Sequence, residues 1–452
     1  MENTIWSGDT VTITPPSLPS GNVTPGGMEE TVAGAGADGM TTAAVPLTVC
    51  PGRGTAPSCG LYYSSASGNG ETGIGWSLQT ACISRSTLHG VPRYQDSDVF
   101  LDPDGGELTA YRHDDGQPDV RKNIQVCQGI TLEQPYTVSR YRAQTENRYQ
   151  RIEHWAGETD TSQQFWLIYH SDGSMTCFGH SAGARVADKA DKRRISEWYQ
   201  EEFLAVNGEH ICFHYRREDD TGVNDGERRG GNTRLYPQRT DYANVKAHGS
   251  LYCLAGEMPA PETFLLHIVF DYGERTLQKA EVPPWAAAPE SGWLLRGDPF
   301  SLYSAGFETR CRRLCRQILM FSRKADDLKR DPVMVNRYLL EYNESPAMSC
   351  LSRITRLAYE TIGGTLRVAE KPPVVLTYTD AKLTTGQADY VPLMNWQEVD
   401  RGTGLLVDLY GEGYAGWLSR HEGVWGYQAP VRSELTPDGA EYADWQAPPL
   451  IP

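Results

Sequence analysis

The chain of 452 residues carries 45 glycines and 28 prolines, so about one residue in six favours a turn, against a usual background of roughly 12 %. With 39 % hydrophobic and 10 % aromatic residues it holds enough apolar material for a large core, which excludes wholesale disorder. The formal net charge of -16 sets the surface against phosphate backbones and acidic membranes, so neither nucleic acid nor a lipid surface is expected as a partner.

Residues 1–40 are rich in Gly, Pro, Ser and Thr and read as a flexible arm. Met1-Glu2-Asn3-Thr4-Ile5-Trp6 lacks a basic stretch followed by an apolar one, so no conventional secretory signal peptide is expected, and a secreted product would leave by another route. No apolar run approaches the roughly 20 residues that span a bilayer. From residue 41 short strand-like segments recur, beginning at 44–49 and 61–64. Segments 165–170 and 175–178 flank Asp172-Gly173, and 203–206 and 210–215 flank Asn207-Gly208; both turns tolerate positive φ and predict hairpins. Further strands are predicted at 264–270, 307–311, 318–321, 338–342 and 374–378, with a short helix over 188–198. Segments 218–232 and 286–292 read as loops. The fold class expected is all-β: a large multi-sheet domain over 41–385, then the first strands of a propeller-like, incomplete unit over 390–452.

The motifs with chemical promise are few. Gly68, Gly70 and Gly73 form a G-x-G-x-x-G, but a dinucleotide site needs a helix behind the turn, and Ile74-Gly75-Trp76-Ser77-Leu78 offers none. These glycines instead predict positive φ and close backbone approach around a buried Trp76. His210, Cys212 and His214 alternate along one strand face; zinc favours such groups, but a flat strand arranges three of them poorly around a tetrahedron. Asp219, Asp220, Asn224, Asp225 and Glu227 form a loose set of oxygen ligands without EF-hand spacing, read as a solvated loop whose ordering around an ion stays open. Asp408 opens a Tyr- and Gly-containing loop to which no metal is assigned. The ten cysteines are scattered without a Cys-x-x-Cys pair, which suits reduced and mostly buried thiols. With no G-x-S-x-G, H-E-x-x-H or Walker-A run, no catalytic, cofactor or metal residue is assigned, and no enzyme is expected.

An ordered string of segments carries a resemblance. It begins with Val45-Pro46-Leu47-Thr48-Val49-Cys50-Pro51-Gly52-Arg53-Gly54, Leu61-Tyr62-Tyr63-Ser64 and Gly73-Ile74-Gly75-Trp76-Ser77-Leu78. It continues through His89-Gly90-Val91-Pro92-Arg93-Tyr94, Phe270-Asp271-Tyr272-Gly273-Glu274-Arg275 and Cys311-Arg312-Arg313-Leu314-Cys315-Arg316. Over about residues 40–380 this string resembles the SpvB-type region, shared by a Salmonella plasmid-virulence protein and by the B components of Tc-type insecticidal toxin complexes. Trp396 to Arg432 is similar to the continuation of the B component, where a β-propeller begins. The resemblance implies a non-enzymatic, secreted carrier that helps enclose the toxic segment of an Rhs-type C component and docks on an A-component channel. The alternative is the delivery domain of an SpvB-type effector; its ADP-ribosyltransferase domain would need a Glu-x-Glu pair, which the chain lacks. A module that binds glycans or a host protein through exposed aromatics is a third reading.

Overall fold

The computed structural model describes residues 31–33, 40–95, 97–145, 148–224, 232–256, 258–288, 291–362, 365–378, 404–409, 416–421, 424–428, 430–431, 444–445 and 450–451. The chain divides into two compact units, Met1–Thr377 and Tyr378–Pro452. The arm expected over 1–40 lies outside the described residues except for Met40 and Thr31–Ala33, the latter pairing with Thr42–Pro46. That strand continues into Gly60–Ser64 and Trp76–Leu78 to make a four-stranded antiparallel sheet.

Eight strands then close on themselves: β1 (Cys82–Arg85), β2 (Phe100–Leu101), β3 (Glu107–Ala110), β4 (Ile130–Ala143), β5 (Arg151–Gly157), β6 (Gln164–Tyr169), β7 (Met175–Phe178) and β8 (Ile195–Leu204). Each pairs antiparallel with the next. The ring is completed by β8 against β1, with Glu197, Trp198 and Tyr199 opposite Ser84, Ile83 and Cys82. Since strand side chains alternate, the inward rows follow from the register. Ile152, His154 and Ala156 of β5 lie between Tyr141, Ser139 and Thr137 of β4 and Ile168, Trp166 and Gln164 of β6.

An eight-stranded barrel is just wide enough for side chains to fill it. Ile83, Phe100, Leu108, Ile152, Trp166, Ile168, Phe178, Ile195 and Trp198 form one buried cluster there. Phe100 and Trp166 meet edge-on at 4.9 Å, Trp166 and Trp198 at 6.0 Å, and His154 stacks on Trp166 at 4.4 Å. Each aromatic pair adds about 0.5–1.5 kcal/mol beyond its area burial. The barrel is therefore plugged at its waist rather than open along its axis.

β8 also forks. Its C-terminal half pairs with β9 (His210–Arg217), and an antiparallel meander runs on through β10 (Leu235–Asn244), β11 (Phe264–Asp271), β12 (Gln317–Ser322), β13 (Val333–Glu344), β14 (Ser349–Ile362) and β15 (Thr365–Glu370). Both predicted hairpin turns form, with Gly173 at φ 87° and Gly208 at φ 79°. The helix expected over 188–198 does not. Asp188 accepts from the Ala190 backbone N–H and Asp191 from that of Arg193, bonds that stabilise turns in competition with a helix, and β8 follows. Helix among the described residues is limited to single 3-10 turns such as Ala182–Ala184 and Cys253–Ala255.

In the second unit Gly404–Val407, Gly416–His421, Val424–Gln428 and Leu450–Ile451 pair as one four-stranded antiparallel sheet, and Pro430–Val431 pairs with Asp444–Trp445. Where the first strands of a propeller-like, incomplete unit are expected, the described residues form a single sheet with a separate two-stranded ladder, and no propeller is identified among them.

Candidate functional site

The glycine segment forms a two-residue ladder, Asn69–Gly70 against Gly73–Ile74, with no helix behind it. Gly73 sits at φ 91°, and a Cβ there would lie 2.6 Å from the Ser349 carbonyl oxygen. Gly75 sits at φ 75° over the Tyr63 ring, beside buried Trp76. The segment is pinned by a buried ion pair that the sequence reading missed. Arg296 donates to both oxygens of Asp298 at 2.9 Å, to the Gly70 carbonyl at 2.7 Å and to Asn69 Oδ1 at 2.7 Å. Ser349 donates to the same Asp298. The formal nucleotide motif is thus a hairpin docked through the Asn69 side chain and the Gly70 carbonyl.

His210, Cys212 and His214 share one face of β9 without converging on a metal. His210 Nδ1 lies 2.6 Å from Glu202 Oε1, and its Nε2 lies 2.9 Å from the His248 carbonyl, so both ring nitrogens are engaged. Burial pushes the Cys212 thiol well above its ordinary range, with the charges of Glu202 and Asp241 adding to it, which opposes the thiolate that zinc requires. His214 Nε2 instead lies 2.9 Å from Asp241 Oδ2. Asp241 is fully buried between His214, Arg239 and His267, with His267 Nδ1 2.7 Å from its Oδ1. Burial alone would raise the Asp241 carboxyl; hydrogen bonds from His214 and His267 and the Arg239 charge outweigh it and hold it well below the usual carboxylate range. One signal for this cluster was present in the sequence: His267 interrupts an otherwise apolar run in the strand Phe264–Asp271.

The carboxylates read as a solvated loop are in part structural. Glu218 is buried, accepting from Arg313 Nε at 3.0 Å and from the Tyr236 hydroxyl at 2.7 Å. Asp219 accepts from Trp293 Nε1 at 2.8 Å and from Arg216 at 3.1 Å, and Asp220 accepts from Arg312 at 2.9 Å. Arg216 and Arg313 both lie over the Trp293 ring, at 3.7 and 4.4 Å. Oxygens that a cation would need are occupied by guanidinium, indole and phenol donors. Asp225 and Glu227 lie outside the described residues, as does the loop that follows Asp408 and Leu409. Cys311 and Cys315 are buried free thiols, Cys311 on the short strand Thr309–Cys311.

Among the described residues no group of three or more His, Cys, Asp or Glu could hold a metal ion. The polar interior is a set of internal clasps that tie the meander sheet to the loops covering it, which is scaffold chemistry. Against known proteins, residues 35–324 match the family described as SpvB, Salmonella virulence plasmid 65kDa B protein. The chain belongs to the SpvB family. It is 39 % identical over 357 residues to the mono(ADP-ribosyl)transferase SpvB of Salmonella choleraesuis, covering 78 % of this chain and 58 % of that relative. The SpvB-family chain thus spans under two thirds of the curated relatives it matches. A solved N-terminal domain of the effector SpvB from Salmonella typhimurium matches at TM-score 0.65 and 38 % identity, over 70 % of this chain and 98 % of that one. A chain of the TcdB2-TccC3 crystal structure matches at TM-score 0.80 and 33 % identity, over 97 % of this chain and 21 % of that one. A chain of the Photorhabdus luminescens Tc holotoxin pore matches equally at TM-score 0.80, over 98 % of this chain and 20 % of that one. The part of the effector SpvB that is matched in three dimensions is its N-terminal domain, and the chain is a non-catalytic domain of this type.

Proposed function

We propose that this SpvB-family domain is a structural and carrier part of a Tc-type toxin complex, contributing to a shell that encloses the toxic segment of an Rhs-type C component. The observation that supports this most is the extent of the match to the TcdB2-TccC3 structure. It runs over 97 % of the chain at TM-score 0.80, whereas the isolated SpvB domain accounts for 70 %. On this reading the sheet formed by Gly404–Val407, Gly416–His421 and Val424–Gln428 is the first blade of a propeller that docks on an A-component channel, and the product acts outside the cell that makes it. The division of labour proposed is an arm over 1–40, the SpvB-like domain over 41–385 and this second β unit over 390–452.

The test is a chimera in which this chain replaces the corresponding N-terminal region of TcdB2, co-expressed with TccC3. The proposal expects TccC3 to co-elute with the chimera as one complex, as it does with unaltered TcdB2. A chimera that is soluble and folded but leaves TccC3 unbound would overturn it.

A further inference from the structure

The two mouths of the barrel differ in charge, and one of them is out of keeping with the rest of the molecule. At the β1–β3 end near Ala81 and Ile168, a cavity of about 540 Å³ carries Asp102, Asp104 and Glu107 against Arg148. At the other end the inward rows terminate in Thr137, Ala156 and Gln164, and a cavity of about 1020 Å³ opens there. Its wall holds Arg93, Arg112, Lys122, Arg140, Arg193 and Arg194, with Arg85 deeper, against the carboxylates Asp119 and Asp191. In a chain of net charge -16 such a concentration of cations is a local inversion of the field.

Internal ion pairs do not cancel it. Arg85 pairs with Asp98 at 2.9 Å, Arg193 with Asp191 at 2.8 Å, Arg194 with Asp188 at 2.9 Å, and Arg140 reaches Asp119 at 3.8 Å. No ion pair forms at Arg93, Arg112 or Lys122 among the described residues. All three are exposed at the rim. The Arg140 Nε is buried without a hydrogen-bond partner. Tyr94, Phe100 and Tyr141 supply aromatic wall, and Arg85 and Arg194 already lie over the Tyr94 ring at 5.2 and 4.7 Å. Guanidinium groups suit phosphate and sulfate through paired N–H donors, and a cavity of this size takes an organic ligand rather than a lone inorganic ion.

We propose that the Arg-lined mouth of the barrel is a binding site for a small organic polyanion bearing two or more phosphate or sulfate groups. The site is drawn from the barrel alone and does not rest on the carrier reading.

Calorimetric titration of the full chain at about 0.15 M salt, where exposed charges are largely screened beyond roughly 8 Å, tests it. The probes are tripolyphosphate, adenosine triphosphate and sucrose octasulfate. The expected result is saturable binding of at least one probe at one site per chain. R93Q/R112Q/K122Q should weaken it by roughly tenfold or more, since charge-assisted contacts are lost. R367Q/K371Q changes exposed cations on and beside β15, away from the barrel, and should leave binding unchanged. Preference for adenosine triphosphate or for the octasulfate identifies the phosphate or sulfate source, and both support the site. Absence of saturable binding by all three probes overturns it, as does equal weakening by the two variants.

Discussion

Arg313 and Glu218 are both fully buried and joined at 3.0 Å, so each is held by the other's charge. Replacing only one leaves an uncompensated charge in the interior, and Arg313→Met is expected to cost about 3–5 kcal/mol in urea unfolding. The double variant R313M/E218L should recover part of that loss, because the desolvation penalty disappears with the pair. A second residue-scale expectation concerns pH. Burial, with the Arg85 charge second, pushes the His154 imidazole down to about 3, and burial, with Arg185 second, pushes His180 down to about 4. In the folded state both stay neutral where the unfolded chain takes up protons, so the unfolded state binds more protons and stability falls as pH drops below about 6.5. The slope is about 1.4 kcal/mol per pH unit for each histidine, flattening for His180 near its folded value. The buried carboxyls Glu197 and Glu201, raised by burial, act in the opposite direction. Comparing the chain with His180→Gln at pH 7 and pH 5 isolates the histidine, since the carboxyls are common to both. A stability difference between the two proteins that does not change with pH would contradict the assignment. Sequence showed that His210, Cys212 and His214 share a face, but not that Glu202, Asp241 and the His248 carbonyl lie against it, because those partners come from other strands and a loop.

Hairpins were the most legible elements, since their signals are local. Asp172-Gly173 and Asn207-Gly208 specify their own backbone, and the strands beside them carry short continuous buried runs, Phe165 to Ile168 and His210 to Cys212. The segment 188–198 was misread because charged residues such as Asp188, Lys189, Asp191 and Lys192 suit a helix surface as well as a turn. Only the pairing of Ile195–Leu204 with four neighbouring strands decides it. The glycine segment gives the sharpest test at this scale. Gly73 combines positive φ with a Ser349 carbonyl where a side chain would stand, so Gly73→Ala carries both backbone strain and a clash. It is expected to lower stability by about 1–3 kcal/mol in thermal or urea unfolding. Gly68 has open space around it and no positive φ, so Gly68→Ala should be close to neutral. Equal losses at the two positions would show that the docked hairpin is not what these glycines serve.

Closure of the barrel was invisible in the sequence for a definite reason. β1 and β8 are joined by Ile83 opposite Trp198, more than a hundred residues apart, and no local pattern selects that partner among many equally apolar strands. The all-β class could be read; the ring, the fork at β8 and the charge of each mouth could not. Closure also makes the barrel cooperative in a way an open meander is not, because removing one strand exposes two edges and opens a core of Phe100, Trp166 and Trp198 to water. Three deletions separate these behaviours. A chain ending at residue 377 retains every strand of the first compact unit and should unfold in a single transition, with its tryptophan fluorescence still that of a buried core. A chain starting at residue 90 loses β1 and the small sheet before it, and should lack that buried fluorescence and be cleaved rapidly by protease within β4 to β8. Deleting β15 from the other end removes a strand whose residues are exposed throughout and should leave the barrel signal intact. Protection of β4 to β8 in the chain without β1 would mean that the sheet is stable open, and that the contact of Trp198 with Ile83 is not what holds the ring together.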